Sequence, residues 1–208
     1  LIAIPFFMVA GVIMGRGAIA RRLVEFASAL FGWLPGGLAV SAVFACMFFA
    51  AISGSSPVTV ITIGSIMFPA LVAKGYHENF SLGLVTSAGS LGIIIPPSIP
   101  MIVYAIFAAQ SEGGAVVKVE ELFIAGIGPG ILLGACLAGY CVLTGRGVDR
   151  EPFSMGKVVE TFVEGIWALC LPIFILGGIY LGVFNATQAA AMSVILALFI
   201  EVVIHREL

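Results

Sequence analysis

The residues best suited to bind a small ligand form a short polar segment, Ser53-Gly54-Ser55-Ser56-Pro57, with Thr59 close behind. The segment lies near the middle of Phe26–Ala73, a stretch that contains no charged residue. So long an uncharged stretch is typical of membrane-embedded chain, yet glycine and proline interrupt helices. We therefore predict that an apolar helix is broken here, inside the membrane.

A second polar break occurs within the next apolar stretch, at Gly92-Ile93-Ile94-Ile95-Pro96-Pro97-Ser98-Ile99-Pro100. Prolines this closely spaced exclude one regular helix, because each lacks an N–H and clashes with the preceding turn. The sequence predicts one half-helix over about Phe80–Leu91 and another over about Pro100–Gln110. The second break then lies near the middle of the span, at a depth similar to the first.

The first break offers partners for both a cation and an anion. The helix that ends there releases carbonyl oxygens around Ala50–Ser53, and the hydroxyls of Ser53 and Ser55 add oxygens that suit Na⁺. The following helix is predicted to start at Pro57 with Ser56 as its N-cap. Its free N–H groups carry positive dipole and suit a carboxylate.

The second break repeats this logic. Carbonyls over Gly89–Ile95 are released, and Ser98 is predicted to cap the next half-helix. Nearby hydroxyls such as Thr59 are expected to bond their own i−4 carbonyls more often than a ligand. The predicted ligand-binding and ion-binding residues are Ser53, Gly54, Ser55, Ser56, Pro57, Thr59, Gly92, Pro96, Pro97 and Ser98, with Ser53 and Ser55 as Na⁺ ligands.

The composition places these breaks in a membrane protein. The chain is 61% hydrophobic and 10% charged, with a mean hydropathy of +1.21, whereas soluble domains carry about 25% charged residues. Several uncharged stretches reach the roughly 20 residues of a spanning helix. We predict an all-α polytopic membrane protein.

Other functional classes lack the residues they need. No basic cluster supports nucleic-acid binding, and Ser53 has no neighbouring base that would make it a nucleophile. We predict that the chain is not an enzyme and needs no cofactor. The two histidines, His77 and His205, are predicted to be polar interface residues rather than ligands. The cysteines are predicted to be buried small hydrophobic residues: Cys46, Cys136, Cys141 and Cys170.

Two amphipathic stretches, Gly17–Leu34 and Lys157–Gly165, are predicted to lie in the membrane interface. The arms beside the first break, Leu38–Ile52 and Pro57–Ala73, would be about 22 and 25 Å long at 1.5 Å per residue. Because a hydrocarbon core is about 30 Å thick, we predict a re-entrant hairpin. Two short tilted spans are the alternative.

The chain is predicted to contain three parts. Residues 1–35 are the end of a membrane helix and an interfacial arm, and residues 36–121 are the hairpin and broken helix of a transport domain. Residues 122–208 are further transmembrane helices with a second arm.

The basic residues predict the orientation of the chain in the membrane. With the predicted spans alternating in direction, nearly all of the 9 basic residues fall on one face of the membrane, which is cytoplasmic by the positive-inside rule. These are Arg16, Arg21, Arg22, Lys74, Arg146, Arg150, Lys157 and Arg206, with only Lys118 opposite.

Several motifs, in order along nearly the whole chain, are familiar together. They include Ala51-Ile52-Ser53-Gly54-Ser55-Ser56-Pro57-Val58-Thr59, Leu91-Gly92-Ile93-Ile94-Ile95-Pro96-Pro97-Ser98-Ile99, Ala125-Gly126-x-x-Pro129-Gly130 and Pro172-Ile173-Phe174-Ile175-Leu176-Gly177-Gly178-Ile179-Tyr180. This set resembles the large, DctM-like membrane subunit of TRAP (tripartite ATP-independent periplasmic) transporters.

The resemblance implies Na⁺-coupled uptake of a small organic acid, such as a C4-dicarboxylate or sialic acid, across the bacterial inner membrane. It implies an elevator mechanism, a periplasmic substrate-binding protein and a small membrane (Q-type) subunit as partners. Because the family subunit is about twice as long and carries a second, inverted hairpin repeat, the chain is expected to be partial. Phe184–Gln188 also departs from the family, which usually has a Thr-Pro-Thr-Glu-like sequence there.

Two alternatives follow from the residues alone. One is an ion-coupled organic-acid transporter that works without a binding protein. The other is a structural membrane subunit or a channel, which would show no saturable, coupled flux.

Overall fold

The computed structural model describes residues 2–110, 117–147 and 152–205, and the regular secondary structure in these ranges is helical. The α-helices are α1 (Ala3–Arg16), α2 (Ala18–Phe31), α3 (Gly37–Ser53), α4 (Ser56–Ala73), α5 (Glu78–Ser90), α6 (Ile99–Gln110), α7 (Val119–Thr144), α8 (Met155–Tyr180) and α9 (Ala186–Phe199). Short 3₁₀ turns follow α5 and α7, at Leu91–Ile93 and Gly145–Gly147. A π-helical turn, Ile200–His205, extends α9.

Four of these helices are long and apolar enough to cross a membrane: α4, α7, α8, and α9 with its π-helical extension. Helices α1 and α2, bent by 69° at Gly17, pass the same test as a pair. The predicted all-α polytopic class is confirmed. Of the basic residues assigned to the cytoplasmic face, Arg150 and Arg206 lie outside the described residues.

The predicted hairpin is present as α3 and α4, separated by Gly54 and Ser55. Helix α3 has 17 residues and α4 has 18, so the arms are about 25 and 27 Å long. Both are slightly longer than predicted, and α4 meets the length for a span. The break is confirmed, whereas the re-entrant path stays a prediction.

Helix α2 is amphipathic, as predicted. Its apolar face, which includes Ile19 and Leu23, is buried, while Arg21 and Glu25 are exposed. The Ser41 hydroxyl of α3 shares its proton between the Ala27 carbonyl of α2 at 3.0 Å and the Gly37 carbonyl of its own helix at 2.8 Å. The Arg22 guanidinium donates to the Glu164 carbonyl of α8 at 2.8 Å. Helix α2 is thus held between the hairpin and α8.

The second predicted arm is not a separate element. Residues Lys157–Gly165 are the first half of α8, which continues without interruption to Tyr180. An amphipathic stretch and an apolar stretch share the same helical period, and nothing at their junction ends a helix. Gly165 lowers helix propensity by only about 1 kcal/mol, and a Cβ there would be in ordinary van der Waals contact with Arg22.

Glycines allow close helix contacts around the hairpin. Gly11 and Gly15 of α1 face Ser53 and Thr62, so this pair serves packing within the chain. On α7, Gly126, Gly130 and Gly134 lie against Ile94, Ile95 and Met47 respectively. A Cβ on Gly128 of the same helix would meet nothing within 4 Å.

The cysteine prediction is half right. Cys46 and Cys141 are buried, whereas Cys136 and Cys170 are exposed on α7 and α8. Their exposure follows from helical phase, because a span of a polytopic protein presents one apolar face outward. His77 caps α5, its Nδ1 accepting from the Asn79 N–H at 3.4 Å, while its location at the membrane interface stays a prediction.

Gly36 is expected to be sensitive to substitution for two separable reasons. Its φ of +70° favours glycine, and a Cβ there would clash with the Cys141 carbonyl of α7. Gly75 is a matched control, since its φ is +93° and nothing lies within 4 Å. Gly75→Ala should cost about 1–2 kcal/mol from backbone conformation alone. Gly36→Ala should cost roughly 1–3 kcal/mol more from overpacking.

The measurement is the thermal unfolding midpoint of the purified protein in detergent. Equal midpoints for the two variants would show that Gly36 and α7 are not in close contact.

Candidate functional site

The first break is a sharp reversal built by two residues. Gly54 ends α3 with φ +60° and ψ 12°, and its N–H donates to the Ala50 carbonyl at 2.9 Å. The extended Ser55 then starts α4 as its N-cap residue. The prediction that Ser56 is the N-cap is wrong, because α4 begins one residue earlier than Pro57. Ser56 instead donates its hydroxyl to the Ser90 carbonyl at 3.2 Å.

A small hydroxyl network lies inside this reversal. The Thr59 hydroxyl donates to the Ser55 carbonyl at 2.9 Å and lies 3.1 Å from the Ser53 hydroxyl. The Ser55 N–H points to Ser53 Oγ at 3.4 Å. Thr59 donates its only hydroxyl proton to the Ser55 carbonyl, so Ser53 is the donor in the contact between the two hydroxyls. Ser53 Oγ, which accepts from the Ser55 N–H, keeps one further acceptor position. The expected i−4 bond of Thr59 is confirmed.

The two breaks touch each other through their backbones. The Ile99 N–H donates to the Gly54 carbonyl at 3.2 Å. A Cβ on Gly54 would meet the Pro97 carbonyl, and one on Gly92 would lie 3.1 Å from the Ser56 nitrogen. Glycine is required at position 54, whereas a side chain at position 92 would need a shift of a few tenths of an ångström. Breaks that are about 40 residues apart in the chain therefore form one site.

Ser98 organises the second break. It is fully buried, and its hydroxyl donates to the Ile93 carbonyl at 2.6 Å. The same oxygen accepts from the Met101 N–H at 3.4 Å. The predicted capping of α6 by Ser98 is thereby confirmed. The Pro96–Pro97 peptide bond is cis.

The predicted site residues are brought together and largely enclosed. Ser56 is half-buried and Pro57 is exposed, and the others are buried: Ser53, Gly54, Ser55, Thr59, Gly92, Pro96, Pro97 and Ser98. Helix α1 covers one side, where a Cβ on Gly11 would lie 2.8 Å from Ser53 Cβ. The open side of this cluster is therefore at the start of α4.

The break supplies fewer free backbone groups than predicted. The Ala50 and Gly54 carbonyls are already bonded within the described residues, so the carbonyl acceptors left at the end of α3 are those of residues 51–53. At the start of α4, the Thr59 N–H is bonded to Ser55 and Pro57 has none. The N–H groups of Ser56 and Val58 remain to face an anion.

The donor set suits a hard cation better than a transition metal. Among the described residues, no group of three His, Cys, Asp or Glu side chains could hold a metal ion. Hydroxyl and carbonyl oxygens favour cations such as Na⁺, and a helix C-terminus adds negative dipole.

An apolar cavity of about 280 Å³ lies beside the two breaks. It is lined by Met47, Phe48, Ala51, Ile95, Pro96, Ile127, Ile131, Pro172, Ile173 and Leu176. None of these side chains offers a polar atom, so the cavity is not the ion site.

The family model for the DctM component of tripartite ATP-independent periplasmic transporters matches residues 1–208. The chain belongs to this family. The resemblance drawn from its motifs is therefore confirmed, and the family is one of transporters rather than enzymes.

Curated relatives of this DctM-family chain differ in their substrates. It is 44% identical over 212 residues to the C4-dicarboxylate TRAP transporter large permease protein of Pseudomonas aeruginosa, covering 100% of the chain and 48% of that relative. Identity is 43% to the ectoine large permease protein of Halomonas elongata and 37% to the 2,3-diketo-L-gulonate large permease protein of Escherichia coli, each over 211 residues with the same coverage. The chain spans about half the length of these relatives.

The Phe184–Gln188 turn of the DctM-family chain, which departs from the family's usual sequence, forms its own helix cap. In Phe184–Gln188, the Asn185 side chain accepts from the Gln188 N–H at 2.9 Å, and Gln188 Oε1 accepts from the Asn185 N–H at 3.0 Å. This capping box starts α9 without proline or an acid. Sequence reasoning did not single out Glu201, which is fully buried. An acid at the end of an apolar span, four residues before a histidine, is itself a signal of a functional residue.

Gly54→Ala should loosen the contact between the two breaks. The new Cβ would clash with the Pro97 carbonyl, so the Gly54 carbonyl should lose its bond from Ile99. We expect faster amide hydrogen exchange over residues 91–100, measured by mass spectrometry. Gly182→Ala is the control, since its φ is +72° and nothing lies within 4 Å. Unchanged exchange in Gly54→Ala would contradict the proposed contact.

Proposed function

We propose that this chain supplies one half of the transport pathway of a Na⁺-coupled transporter for a small organic acid. The observation that carries the proposal is the pairing of two helix breaks through the Gly54 carbonyl and the Ile99 N–H. Non-helical backbone at membrane depth is tolerated only where protein or a wet cavity satisfies it. Here each break satisfies part of the other and leaves oxygens over for an ion.

In this proposal, Na⁺ takes Ser53 Oγ and the carbonyls of residues 51–53 as ligands. Ser55, which we also predicted as a ligand, would contribute its hydroxyl from the start of α4. The substrate carboxylate would face the N–H groups of Ser56 and Val58, close enough for its charge to favour Na⁺ binding. Binding of each would then strengthen binding of the other, which is the thermodynamic basis of coupling.

The substrate class rests on the family. The relatives are named for C4-dicarboxylate, ectoine and 2,3-diketo-L-gulonate, so we propose a small organic acid without choosing one. One relative, from Oleidesulfovibrio alaskensis, is named an isethionate permease protein DctMQ. By analogy we propose that the chain works with a small membrane subunit and a periplasmic binding protein, in the bacterial inner membrane.

We further propose an elevator mechanism, in which the hairpin and broken helix move together as one body. Two contacts support this joint motion: the backbone contact between the breaks and the packing of α5 against α4. In that packing, Gly89 lies against Val60 and Gly64 against Val85. Helix α2 would be the arm, because it bonds to α3 on one side and to α8 on the other.

The test is uptake of candidate organic acids into proteoliposomes that contain the complete transporter, as a function of Na⁺ concentration. Ser53→Ala and Ser55→Ala should each raise the Na⁺ concentration for half-maximal uptake by about tenfold, since one cation ligand is worth on the order of 1–2 kcal/mol. Pro97→Ala should also raise the Na⁺ concentration for half-maximal uptake, but indirectly, by loosening the backbone next to Gly54.

Ser65→Ala is the matched control, because this exposed serine of α4 bonds only to the Thr62 carbonyl among the described residues. Its Na⁺ dependence should equal that of the unmodified protein. Unchanged Na⁺ dependence in all three site variants would reject the site. Uptake without a binding protein would favour the first alternative, and conductance without saturation would indicate a channel.

A further inference from the structure

A buried carboxylate joins α9 to the start of α2. Glu201, in the π-helical turn after α9, has no exposed surface. Its Oε2 accepts from the Ala18 N–H at 2.9 Å, and its Oε1 accepts from the Ile19 N–H at 2.9 Å. The Nδ1 atom of His205, one turn further on, lies 3.5 Å from Oε2. The His205 side chain is thus buried beside Glu201, while its location at the membrane interface stays a prediction.

This carboxylate replaces a cap that α2 lacks. The N-cap residue of α2 is Gly17, which has no side chain to accept from the first turn. The first N–H groups of a helix need acceptors and carry positive dipole, so a carboxylate there is favourable. Glu201 supplies both oxygens from more than 180 residues away.

Glycine is required at position 17 by the close contact with Glu201 and not by the backbone conformation. Its φ of −90° and ψ of −165° are open to any residue. A Cβ at this position would fall within the carboxyl group of Glu201. The pair therefore determines how closely the bend between α1 and α2 approaches α9.

We propose that Glu201 is a positioning residue for transport, which anchors the first turn of α2 on α9 and makes Gly17 the fixed end of the arm. The other end of α2 reaches the hairpin through Ala27 and Ser41. The anchor thus sets the position from which the arm holds the hairpin. This inference rests on the proposed elevator function, and its first test does not require transport.

The first test measures the distance between spin labels on α2 and on the turn after α9 in the complete transporter. Exposed positions Glu25 and Val203 carry the labels, with the exposed Cys136 and Cys170 replaced by alanine. We expect a narrow distance distribution that is the same with and without Na⁺ and substrate. Glu201→Ala should broaden it. A distance that shifts with Na⁺ or substrate, or a distribution that stays narrow in Glu201→Ala, would overturn the anchor.

The second test is uptake. Glu201→Gln and Glu201→Ala should lower maximal uptake by about tenfold or more, while half-saturating Na⁺ and substrate concentrations stay within about twofold. Glu25→Gln, the same change on the exposed face of α2, should leave uptake unchanged. A change in half-saturation with maximal uptake preserved would place Glu201 in binding and reject the proposal. Absence of Na⁺-dependent uptake in the unmodified protein would instead reject the proposed function.

The third test uses the close contact of Gly17 and Glu201. Gly17→Ala alone should lower the thermal unfolding midpoint and maximal uptake, because its Cβ displaces the carboxylate. In a Glu201→Ala background the same substitution should change little, since the obstructing group is gone. Strictly additive effects of the two substitutions would show that they do not interact and would overturn the proposal.

Discussion

The hydrogen bond from the Ile99 N–H to the Gly54 carbonyl is the contact on which the candidate site depends. Inside a membrane, an exposed peptide group costs several kcal/mol because lipid offers no partner. Two broken helices can therefore persist only where their free ends meet each other or another partner. Gly54 makes this possible, because a side chain there would clash with the Pro97 carbonyl and separate the two backbones, and Gly92 keeps the approach to Ser56 close.

The surrounding helices serve this contact by close packing. Helix α1 lies on Ser53 through Gly11, and α7 lies on the second break through Gly126 and Gly130. In an apolar solvent no hydrophobic force drives helices together, so small residues that bring backbones into van der Waals contact are the main source of attraction. The same small residues leave the serine and threonine hydroxyls of the break enclosed but not obstructed.

The link between α9 and α2 depends on a different interaction, a carboxylate at a helix N-terminus. Such an interaction is strong in a buried setting, where both oxygens accept from backbone N–H groups and water does not compete. It connects segments far apart in the chain and places the bend between α1 and α2. Among the described residues, hydrogen bonds to neighbouring elements then hold the hairpin at its tip, near Gly54 and Ser56, and at the arm, near Ala27.

Composition and local pattern were enough to predict the membrane class, both helix breaks and the capping role of Ser98. These are local consequences of apolar run length, of proline lacking an N–H, and of serine accepting bonds from the next turn. The family also followed from short motifs, two of which mark the helix breaks while two lie within α7 and α8. Helix starts were less accurate, as Ser55 and Ser56 show, because adjacent serines are equally good caps.

Only the tertiary structure determined which residues distant in sequence contact each other. The pairing of Gly54 with Ile99, the burial of Glu201 and His205, and the unbroken course of α8 involve residues distant in sequence or choices that local propensity leaves equal. A glycine in the sequence indicates an unusual backbone conformation or a close contact, but it does not identify the residue that is contacted. Gly17 contacts Glu201, 184 residues away, only because the fold brings Glu201 there. Such contacts arise from how whole helices pack, which no local pattern encodes.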